Sequence, residues 1–348
     1  MTSEANTSAS QPSAPVLVTG SAGFIGYHVS RQLLEAGRAV VGIDNLNPYY
    51  DVALKEARIA ELEKLDGFTF VKGDLRDADT VNGLFDEHNF RRVIHLAAQP
   101  GVRYSIENPQ AYIDANVIGF FNVLEACRQT KVDHLVFASS SSVYGMNTKM
   151  PFTVHDNVDH PISLYAATKK SNELIAHSYA HLFRLPVTGL RYFTVYGPWG
   201  RPDMAPVKFC RAIQNGEPLS LYNHGDMERD FTYVDDIAAG TVAALDHIPS
   251  PNLAWNGDDP DPGSSPAPYR VYNIGAGRPV NLRRFLELIE ESMGKKTEVK
   301  LVPMQPGDVK STFADVEDLK RDVGYSPGIT LEEGIPGFVE WFKNFYGE

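Results

Sequence analysis

The segment Val16-Leu-Val-Thr-Gly-Ser-Ala-Gly-Phe-Ile-Gly26 joins a short apolar run to a helical pattern that continues to Ala36. Its glycines Gly20, Gly23 and Gly26 follow the spacing T-G-x-x-G-x-x-G. Glycines at these positions permit a tight turn and a close backbone approach, and the helix N-terminus offers unpaired N–H groups to a pyrophosphate. Because a predicted strand precedes the glycines and a predicted helix follows them, the segment predicts a dinucleotide-binding turn.

The next apolar run, Val40-Val-Gly-Ile-Asp44, ends in a carboxylate. An acid at this place accepts hydrogen bonds from an adenosine ribose and repels a 2′-phosphate, which favours NAD over NADP although Arg38 lies nearby. A solvated acid at a strand end is the alternative for Asp44. Asp74 follows another predicted strand and is a candidate contact to the adenine edge, with a plain turn residue as the alternative.

Short β-branched runs alternate with longer helical patterns from Val16 onward. This alternation predicts an α/β fold with a doubly wound parallel sheet. The runs are apolar nearly throughout, as expected when helices cover both faces of a sheet. The predicted strands are residues 16–18, 40–43, 68–71, 93–96, 135–138 and 187–190.

Proline and glycine become frequent after about residue 195, and residues 255–270 have loop composition. We therefore expect residues 15–195 to form mainly an NAD-binding domain and residues 196–348 mainly a smaller α/β substrate domain, with crossovers of the chain between the two. Residues 1–14 are rich in Ser, Ala, Thr and Pro and are expected to be a disordered leader.

The composition argues against several classes of function. The 348 residues include 32 Lys and Arg against 44 Asp and Glu, and the net charge of −12 opposes binding to nucleic acid or to an anionic membrane. No apolar run approaches the roughly 20 residues of a membrane span, and the first residues lack a signal-peptide pattern, so a cytoplasmic location is expected. Cys127 and Cys210 lie far apart without metal-ligand spacing, which predicts buried, reduced thiols and no metal site.

Two polar groups of residues are candidates for chemistry. The segment Tyr165-Ala-Ala-Thr-Lys169 places a phenol and an ammonium group on one helical face. The lysine cation, together with a positive nicotinamide ring, is expected to lower the pKa of the phenol and make it usable in acid–base catalysis. A half-buried tyrosine beside a solvated lysine is the alternative. Ser140 or Ser141, which follow a predicted strand, are placed to bind a sugar hydroxyl, with a polar turn as the alternative.

Together with Arg191-Tyr-Phe193 and Val143-Tyr-Gly145, these motifs resemble the extended short-chain dehydrogenase/reductase family of nucleotide-sugar epimerases and dehydratases. The resemblance covers nearly all of the chain after the leader. It implies a Rossmann-like amino-terminal domain, tightly held NAD, a UDP-sugar substrate and a homodimer formed through a helical bundle.

The resemblance also implies residue roles. Tyr165 is the expected catalytic base, Lys169 its electrostatic partner and a ribose ligand, and Ser140 the contact to the sugar hydroxyl, with Ser141 beside it. The expected cofactor contacts, besides Tyr165 and Lys169, are Gly20, Gly23, Phe24, Ile25, Gly26, Asp44, Asn45, Asp74, Leu75, Leu96, Ala97, Ala98 and Tyr192.

Two serines bear on which reaction is expected. Ser141 and Ser142 stand where related dehydratases typically carry an acidic pair, and Ser142 stands where related decarboxylases usually carry Glu. Elimination and carbon loss are therefore disfavoured. Three segments are similar to those of family members that act on UDP-glucuronate: Gly42-Ile-Asp-Asn-Leu-Asn-Pro-Tyr-Tyr-Asp51, Ala98-Gln-Pro-Gly-Val-Arg-Tyr-Ser105 and Tyr196-Gly-Pro-Trp-Gly-Arg-Pro-Asp-Met204.

The expected substrate contacts are spread over the second half of the chain. Thr194 replaces the Asn that is usual in UDP-galactose 4-epimerases, and with Ser141 and Arg201 it is a candidate to bind a C6 carboxylate. Arg suits that role because its planar donors match two oxygens, although a surface Arg is the alternative. The resemblance assigns Arg229 to the pyrophosphate and Asp308 to the uridine ribose, with a structural salt bridge as the alternative for each.

The resemblance thus implies NAD-dependent, reversible C4 epimerisation of UDP-glucuronate to UDP-galacturonate through a 4-keto intermediate. Three alternatives stay open. They are 4-epimerisation of UDP-glucose and UDP-galactose, decarboxylation of UDP-glucuronate, and a non-catalytic NAD-binding sensor.

Overall fold

The computed structural model describes residues 14–304 and 309–347. Its strands are β1 (Val16–Thr19), β2 (Val40–Asp44), β3 (Phe68–Lys72), β4 (Arg92–His95), β5 (His134–Ser140), β6 (Val187–Tyr192), β7 (Thr194–Tyr196), β8 (Leu219–Leu221), β9 (Glu228–Tyr233), β10 (Tyr269–Ile274), β11 (Pro279–Asn281), β12 (Val299–Leu301) and β13 (Ser311–Thr312). Its α-helices are α1 (Phe24–Glu35), α2 (Val52–Leu62), α3 (Ala78–Glu87), α4 (Tyr104–Glu107), α5 (Pro109–Tyr112), α6 (Gly119–Thr130), α7 (Leu164–Phe183), α8 (Ala205–Asn215), α9 (Val234–Asp246), α10 (Leu282–Met293), α11 (Glu317–Val323) and α12 (Leu331–Tyr346). A π-helical stretch spans Ile113–Ile118, and 3-10 turns span Ser141–Tyr144 and Tyr222–Gly225.

Seven strands form the main sheet in the order β3-β2-β1-β4-β5-β6-β10, and every neighbouring pair is parallel. The direction of winding reverses between β1 and β4, which is the place where open α/β sheets bind ligands. The predicted doubly wound α/β fold is confirmed, and all six predicted strands are present with small differences at their ends.

The sequence-based prediction was wrong at two places in this sheet. Leu96 lies one residue beyond β4, where the chain turns toward the glycine segment. Strand β10 was missed, and Tyr269 and Arg270 were placed in a loop. The Pro- and Gly-rich residues before β10 led to the prediction of a loop, but Tyr269 to Ile274 pair with β6. The buried position beside β6 stabilises a strand there in spite of the local composition.

Apolar side chains pack on both faces of the main sheet. Val16 and Val18 of β1 face the layer that contains α1 and α9, whereas Leu17 faces the layer that contains α3 and α6. Alternate residues of one strand therefore enter two separate cores, which is why the strands are apolar nearly throughout.

The second region is built around β9. This strand pairs with β7 and β13 in parallel and with β11 in antiparallel orientation, while β8 and β12 form a separate pair. Helices α8, α10 and α12 pack together on a third apolar core. Because β7 follows β6 after one residue, the second region meets the main sheet at the carboxyl ends of its strands.

Cys127 and Cys210 are buried and free, as predicted. Across residues 14–304 and 309–347, no helix combines the length and the apolar character that crossing a membrane requires.

Gly26 lies at the start of α1, against the turn that follows β1. A Cβ atom at Gly26 would lie 2.0 Å from the carbonyl oxygen of Gly20 and 3.1 Å from the Cα atom of Ser21. Both neighbours are backbone atoms, so the turn and the helix would have to separate to admit a methyl group.

We predict that Gly26→Ala lowers the free energy of unfolding by roughly 3 kcal/mol, because it overpacks a backbone contact. The matched control is Gly83→Ala, since Gly83 lies in α3 with no atom within 4 Å of an added Cβ. This control should raise stability by about 1 kcal/mol through helix propensity. Urea unfolding followed by circular dichroism measures both changes, and equal effects of the two substitutions would contradict the prediction.

Candidate active site

A cavity of about 900 Å³ opens at the carboxyl edge of the main sheet and extends to the β9 region. Every predicted site residue that the structure describes lines this one cavity. On the cofactor side these are Gly20, Gly23, Phe24, Ile25, Gly26, Asp44, Asn45, Asp74, Leu75, Leu96, Ala97, Ala98 and Tyr192. Nearer the β9 region they are Ser140, Ser141, Tyr165, Lys169, Thr194, Arg201 and Arg229. Asp308 lies outside the described residues.

The glycine turn is shaped to receive an extended anionic group. Gly20 has φ of +72°, and a Cβ there would lie 2.8 Å from the amide nitrogen of Ala97. Helix α1 begins directly after Gly23, and its first turn carries no acidic residue, so nothing in that turn offsets its positive end. These features fit the pyrophosphate of a dinucleotide.

Asp44 is held at the end of β2 in a polar setting. Its carboxylate accepts a hydrogen bond of 2.9 Å from the backbone N–H of Leu46, and Lys55 Nζ lies 3.9 Å away. The nearby Arg38 is directed away from the cavity, because its guanidinium donates to Asp246 at 2.9 and 3.1 Å. This arrangement fits a ribose without a 2′-phosphate.

Asp74 takes part in the turn after β3 as well as lining the cavity. It accepts hydrogen bonds from the backbone N–H and the guanidinium of Arg76, and from the side-chain amide of Asn45. The Arg76 hydrogen bonds lower the pKa of Asp74 to about 2. The turn role weighed for Asp74 is therefore present, and its carboxylate remains charged at the cavity wall.

Tyr165 and Lys169 lie on successive turns at the start of α7, as predicted. Ser163 caps this helix by accepting from the backbone N–H of Ala166, which places Tyr165 in the first helical turn. Lys169 is buried and donates to the Ala138 carbonyl at 2.9 Å, and burial lowers its pKa to about 8.

The expected lowering of the Tyr165 pKa is not found in the chain alone. Burial raises the pKa of the phenol, and this effect outweighs a hydrogen bond with Ser140 and the charge of Arg201, which both act to lower it. Removing water disfavours the phenolate more than these two groups favour it. A cationic group bound beside the phenol would favour the phenolate and act against this effect of burial.

A fully buried ion pair supports α7 from below. Glu173 accepts from Arg191 Nε and Nη2 at 2.9 Å each, and from the Ser139 hydroxyl at 2.6 Å. Arg191 Nη1 also donates to the Tyr144 hydroxyl, which in turn donates to Asn273 at 2.7 Å. The network connects α7 to β5, β6 and β10. It therefore fixes the position of α7, and with it Tyr165 and Lys169, relative to the main sheet.

The loop that carries Arg201 is anchored to the cofactor side of the cavity. Arg58 of α2 is fully buried and donates to the carbonyls of Ala22 and Trp199 at 2.7 and 2.5 Å. Trp199 has φ of +63°, a backbone conformation that is rare for a residue with a side chain. Arg58 therefore links the glycine turn to the loop that carries Arg201, and this link was missed because buried Arg has no distinct sequence signal.

Arg201 does not stand as a lone cation in the cavity wall. Its Nε and Nη2 donate to the two carboxylate oxygens of Asp203 at 3.0 and 2.5 Å. The Tyr49 hydroxyl donates to the same carboxylate at 3.2 Å. Tyr49 and Asp203 were missed as site residues, although both fall in segments that carried the family resemblance.

Arg229 lines the cavity while its Nη1 donates to the carbonyls of Glu228 and Lys310 at 2.8 and 3.2 Å. These contacts hold the side chain between β9 and the segment that precedes β13. Arg103 and Lys208 also line the cavity and were not predicted. Cationic side chains on this side of the cavity thus counter the net negative charge of the chain locally, which suits an anionic ligand.

We predict that Glu173→Gln lowers the free energy of unfolding by about 3 to 5 kcal/mol, because it leaves the buried Arg191 charge without its carboxylate. The control is Glu35→Gln, whose carboxylate is 55% exposed and pairs with Arg31 at the surface. That change should cost less than about 1 kcal/mol. Chemical unfolding at pH 7 measures both values.

The pH dependence of the free energy of unfolding provides a second test of the Glu173–Arg191 pair. Burial alone would raise the pKa of Glu173, but the charge and hydrogen bonds of Arg191, with smaller effects of Lys170 and Ser139, together outweigh burial and lower the pKa from 4.5. A lowered folded-state pKa gives stability that is present above pH 4.5 and is lost on acidification through the folded pKa. The stability gap between wild type and Glu173→Gln should therefore narrow in acid, and a constant gap would speak against an ion pair.

The chain is similar to known proteins over most of its length. The sequence model of the NAD dependent epimerase/dehydratase family matches residues 16–275. The chain is 48% identical over 332 residues to the probable UDP-glucuronate 4-epimerase of Rhizobium meliloti (strain 1021), an alignment that covers 95% of this chain and 97% of the relative.

Two solved structures are similar over nearly the whole chain. One is the UDP-glucuronic acid 4-epimerase from Bacillus cereus in complex with UDP-glucuronic acid and NAD, with a TM-score of 0.82, 34% identity, and coverage of 95% of this chain and 100% of the other. Another is the UDP-glucose 4-epimerase with UDP-glucose from Thermotoga maritima, with a TM-score of 0.81, 30% identity, and coverage of 95% and 99%. Since the family match spans most of the chain and these likenesses cover nearly all of it, the chain belongs to the NAD dependent epimerase/dehydratase family.

Proposed function

We propose that this chain catalyses the reversible C4 epimerisation of UDP-glucuronate to UDP-galacturonate with NAD as its cofactor. One observation carries the proposal: the Arg201 guanidinium lies in the same cavity as Tyr165, close enough for its charge to act on the phenol. A carboxylate-binding group therefore stands beside the group suited to proton transfer. The relative from Rhizobium meliloti and the Bacillus cereus structure carry the same activity in their names.

The cofactor fits the first half of the cavity. We assign the pyrophosphate to the glycine turn and the N-terminus of α1, the adenosine ribose to Asp44, the adenine edge to Asp74, and the nicotinamide ribose to Lys169. When bound, NAD accepts and returns the C4 hydrogen, and its positive ring favours the Tyr165 phenolate.

The proposed division of labour follows the chain. Residues 15–195 mainly hold the cofactor and residues 196–348 mainly hold the nucleotide sugar, although β10 and α9 of the second half pack with the main sheet. Arg229 is assigned to the pyrophosphate of UDP and Asp308 to its ribose.

Tyr165 performs the proton transfers. Its phenolate removes the proton from sugar O4 while C4 is oxidised, which leaves a 4-keto sugar anchored through its UDP. After the sugar ring turns over, C4 is reduced from the opposite face and Tyr165 returns the proton to O4. Ser140, through its hydrogen bond with Tyr165, aligns the phenol with the sugar hydroxyl. The configuration at C4 inverts and no net oxidation results.

The uronate carboxylate needs a separate grip. The 4-keto intermediate of a glucuronate is a β-keto acid, which loses carbon dioxide unless its carboxylate is held in a conformation that disfavours cleavage. Ser141, Thr194 and Arg201 all line the cavity and are assigned to this grip.

We predict that the purified protein with NAD converts UDP-glucuronate to UDP-galacturonate without carbon loss. Tyr165→Phe should lower kcat at least about 100-fold while UDP-glucuronate still binds, because only the proton-transfer group is removed. Proton NMR of the sugar configuration and calorimetric binding measure the two parts.

Other products would change the assignment. A UDP-pentose would identify a decarboxylase, and conversion of UDP-glucose alone would overturn the carboxylate roles of Thr194 and Arg201. Binding of NAD without conversion of either nucleotide sugar would favour a sensor.

We infer that the protein forms a homodimer through α6 and α7. These helices carry a set of large apolar side chains that are 43 to 67% exposed in the single chain: Phe121, Leu174, Leu182 and Phe183. Apolar side chains grouped on neighbouring helices are typical of a protein–protein interface. Association through this surface leaves the cavity open, because the cavity lies at the carboxyl edge of the sheet.

Leu174→Glu should convert the dimer to a monomer, because it places a charge in the proposed interface. The control is Leu253→Glu, since Leu253 is 92% exposed in the segment between α9 and β10. Size-exclusion chromatography with light scattering measures the mass of each variant. A wild-type monomer, or a dimer that survives Leu174→Glu, would contradict the inferred interface.

A further inference from the structure

Asp203 occupies one edge of the Arg201 guanidinium. The bonds from Nε and Nη2 to the two carboxylate oxygens form a bidentate pair at 3.0 and 2.5 Å. The Arg201 and Asp203 side chains are 19% and 27% exposed, so the pair is largely withdrawn from water. A bidentate, largely buried pair fixes the plane of the guanidinium and not only its position.

The opposite edge of the same guanidinium stays available. A guanidinium presents five donors in a planar fork, and Asp203 engages only the edge formed by Nε and Nη2. No side chain or backbone carbonyl of residues 14–304 or 309–347 accepts a hydrogen bond from Nη1. Arg201 lines the cavity, so a second carboxylate can bind it without displacing Asp203.

Asp203 is itself held in place by Tyr49. The Tyr49 hydroxyl donates to Asp203 at 3.2 Å, and its ring packs on Tyr104 with ring centroids 4.9 Å apart. Burial and the Asp203 charge raise the pKa of Tyr49 to about 12, so the hydroxyl keeps its proton and remains a donor. Tyr49 precedes α2, whereas Asp203 precedes α8, so this contact joins two loops across the cavity.

We propose that Asp203, held by Tyr49, is a positioning residue that orients Arg201 so that its free edge meets the C6 carboxylate of a uronate substrate. The inference rests on the proposed function. It extends that function from Arg201, which binds the carboxylate, to Asp203, which orients Arg201. Asp203 touches neither the sugar nor the cofactor in this role. It acts on the outcome of the reaction through the direction in which Arg201 points.

The orientation of the carboxylate decides between two fates of the 4-keto intermediate. Carbon dioxide leaves when the C5–C6 bond aligns with the π system of the C4 carbonyl. The bond breaks, its electron pair passes into an enolate at C4 and C5, and a proton from solvent then replaces the lost carboxylate at C5. A fixed Arg201 holds the carboxylate out of this alignment, and a misdirected one does not.

The test is the ratio of decarboxylated to epimerised product. Wild type, Asp203→Asn and Tyr49→Phe are each incubated with NAD and UDP-glucuronate, and the products are measured by NMR. The ratio is the summed amount of UDP-pentose and UDP-4-keto-pentose divided by the amount of UDP-galacturonate. We expect the ratio to rise roughly tenfold in Asp203→Asn, since small errors in position have large effects on reaction rates, and by a smaller factor in Tyr49→Phe. Asp203→Glu, which keeps the charge, should restore part of the wild-type ratio.

The control is Asp258→Asn, which removes one negative charge at an exposed loop position and should leave the ratio unchanged. Because the ratio compares two products of the same enzyme, a smaller amount of folded enzyme does not alter it. Tyr49→Phe tests the inference even if Asp203→Asn does not fold. A wild-type ratio in both variants would overturn the inference. A lower KM with an unchanged ratio would also overturn it, because Asp203 would then only repel the substrate. Failure of wild type to epimerise UDP-glucuronate would instead refute the proposed function.

Discussion

The Glu173–Arg191 ion pair is the interaction on which the geometry of the site depends. It lies fully buried beneath α7. Arg191 belongs to β6, Ser139 extends the contact to β5, and Tyr144 carries it to Asn273 of β10. An apolar contact could stabilise the helix equally well, but it would allow the helix to slide. Directional hydrogen bonds at both carboxylate oxygens do not, and Lys169 and Tyr165 lie one and two turns along the same helix.

The cavity depends on the winding of the sheet as much as on its side chains. The order of strands brings the turns after β1 and β4 together, so the glycine segment and residues 96–98 face each other with no room for a Cβ at Gly20. Arg58 and the pair of Tyr49 with Asp203 then connect the loops on the two sides of the cavity. These links fix the proposed cofactor and sugar positions relative to each other. Transfer of hydrogen between C4 and the cofactor requires such a fixed geometry.

Much of the fold and of the cavity could be predicted from the sequence, but different kinds of sequence signal predicted them. The sheet and its glycine turn follow from local pattern, because strand and helix periodicities and T-G-x-x-G-x-x-G are short-range signals. The cavity residues followed from family resemblance at motif positions. What escaped prediction depends on contacts distant in the chain: β10 beside β6, Arg58 against Trp199, and Asp203 against Arg201 and Tyr49. The burial that raises the pKa of Tyr165 in the chain without its cofactor also escaped prediction, because sequence spacing carries no measure of burial.

The seventh strand, β10, has a consequence for how the chain acquires its structure during synthesis. Residues 187–192 and their partners at 269–274 are separated by a long stretch that includes all of α8, α9 and β9. Until the ribosome has released residue 274, the β6 edge presents unpaired backbone groups that invite pairing with another nascent chain. The amino-terminal half therefore cannot complete its fold as it emerges, and the β6 edge of the sheet stays open while residues 193–274 are synthesised.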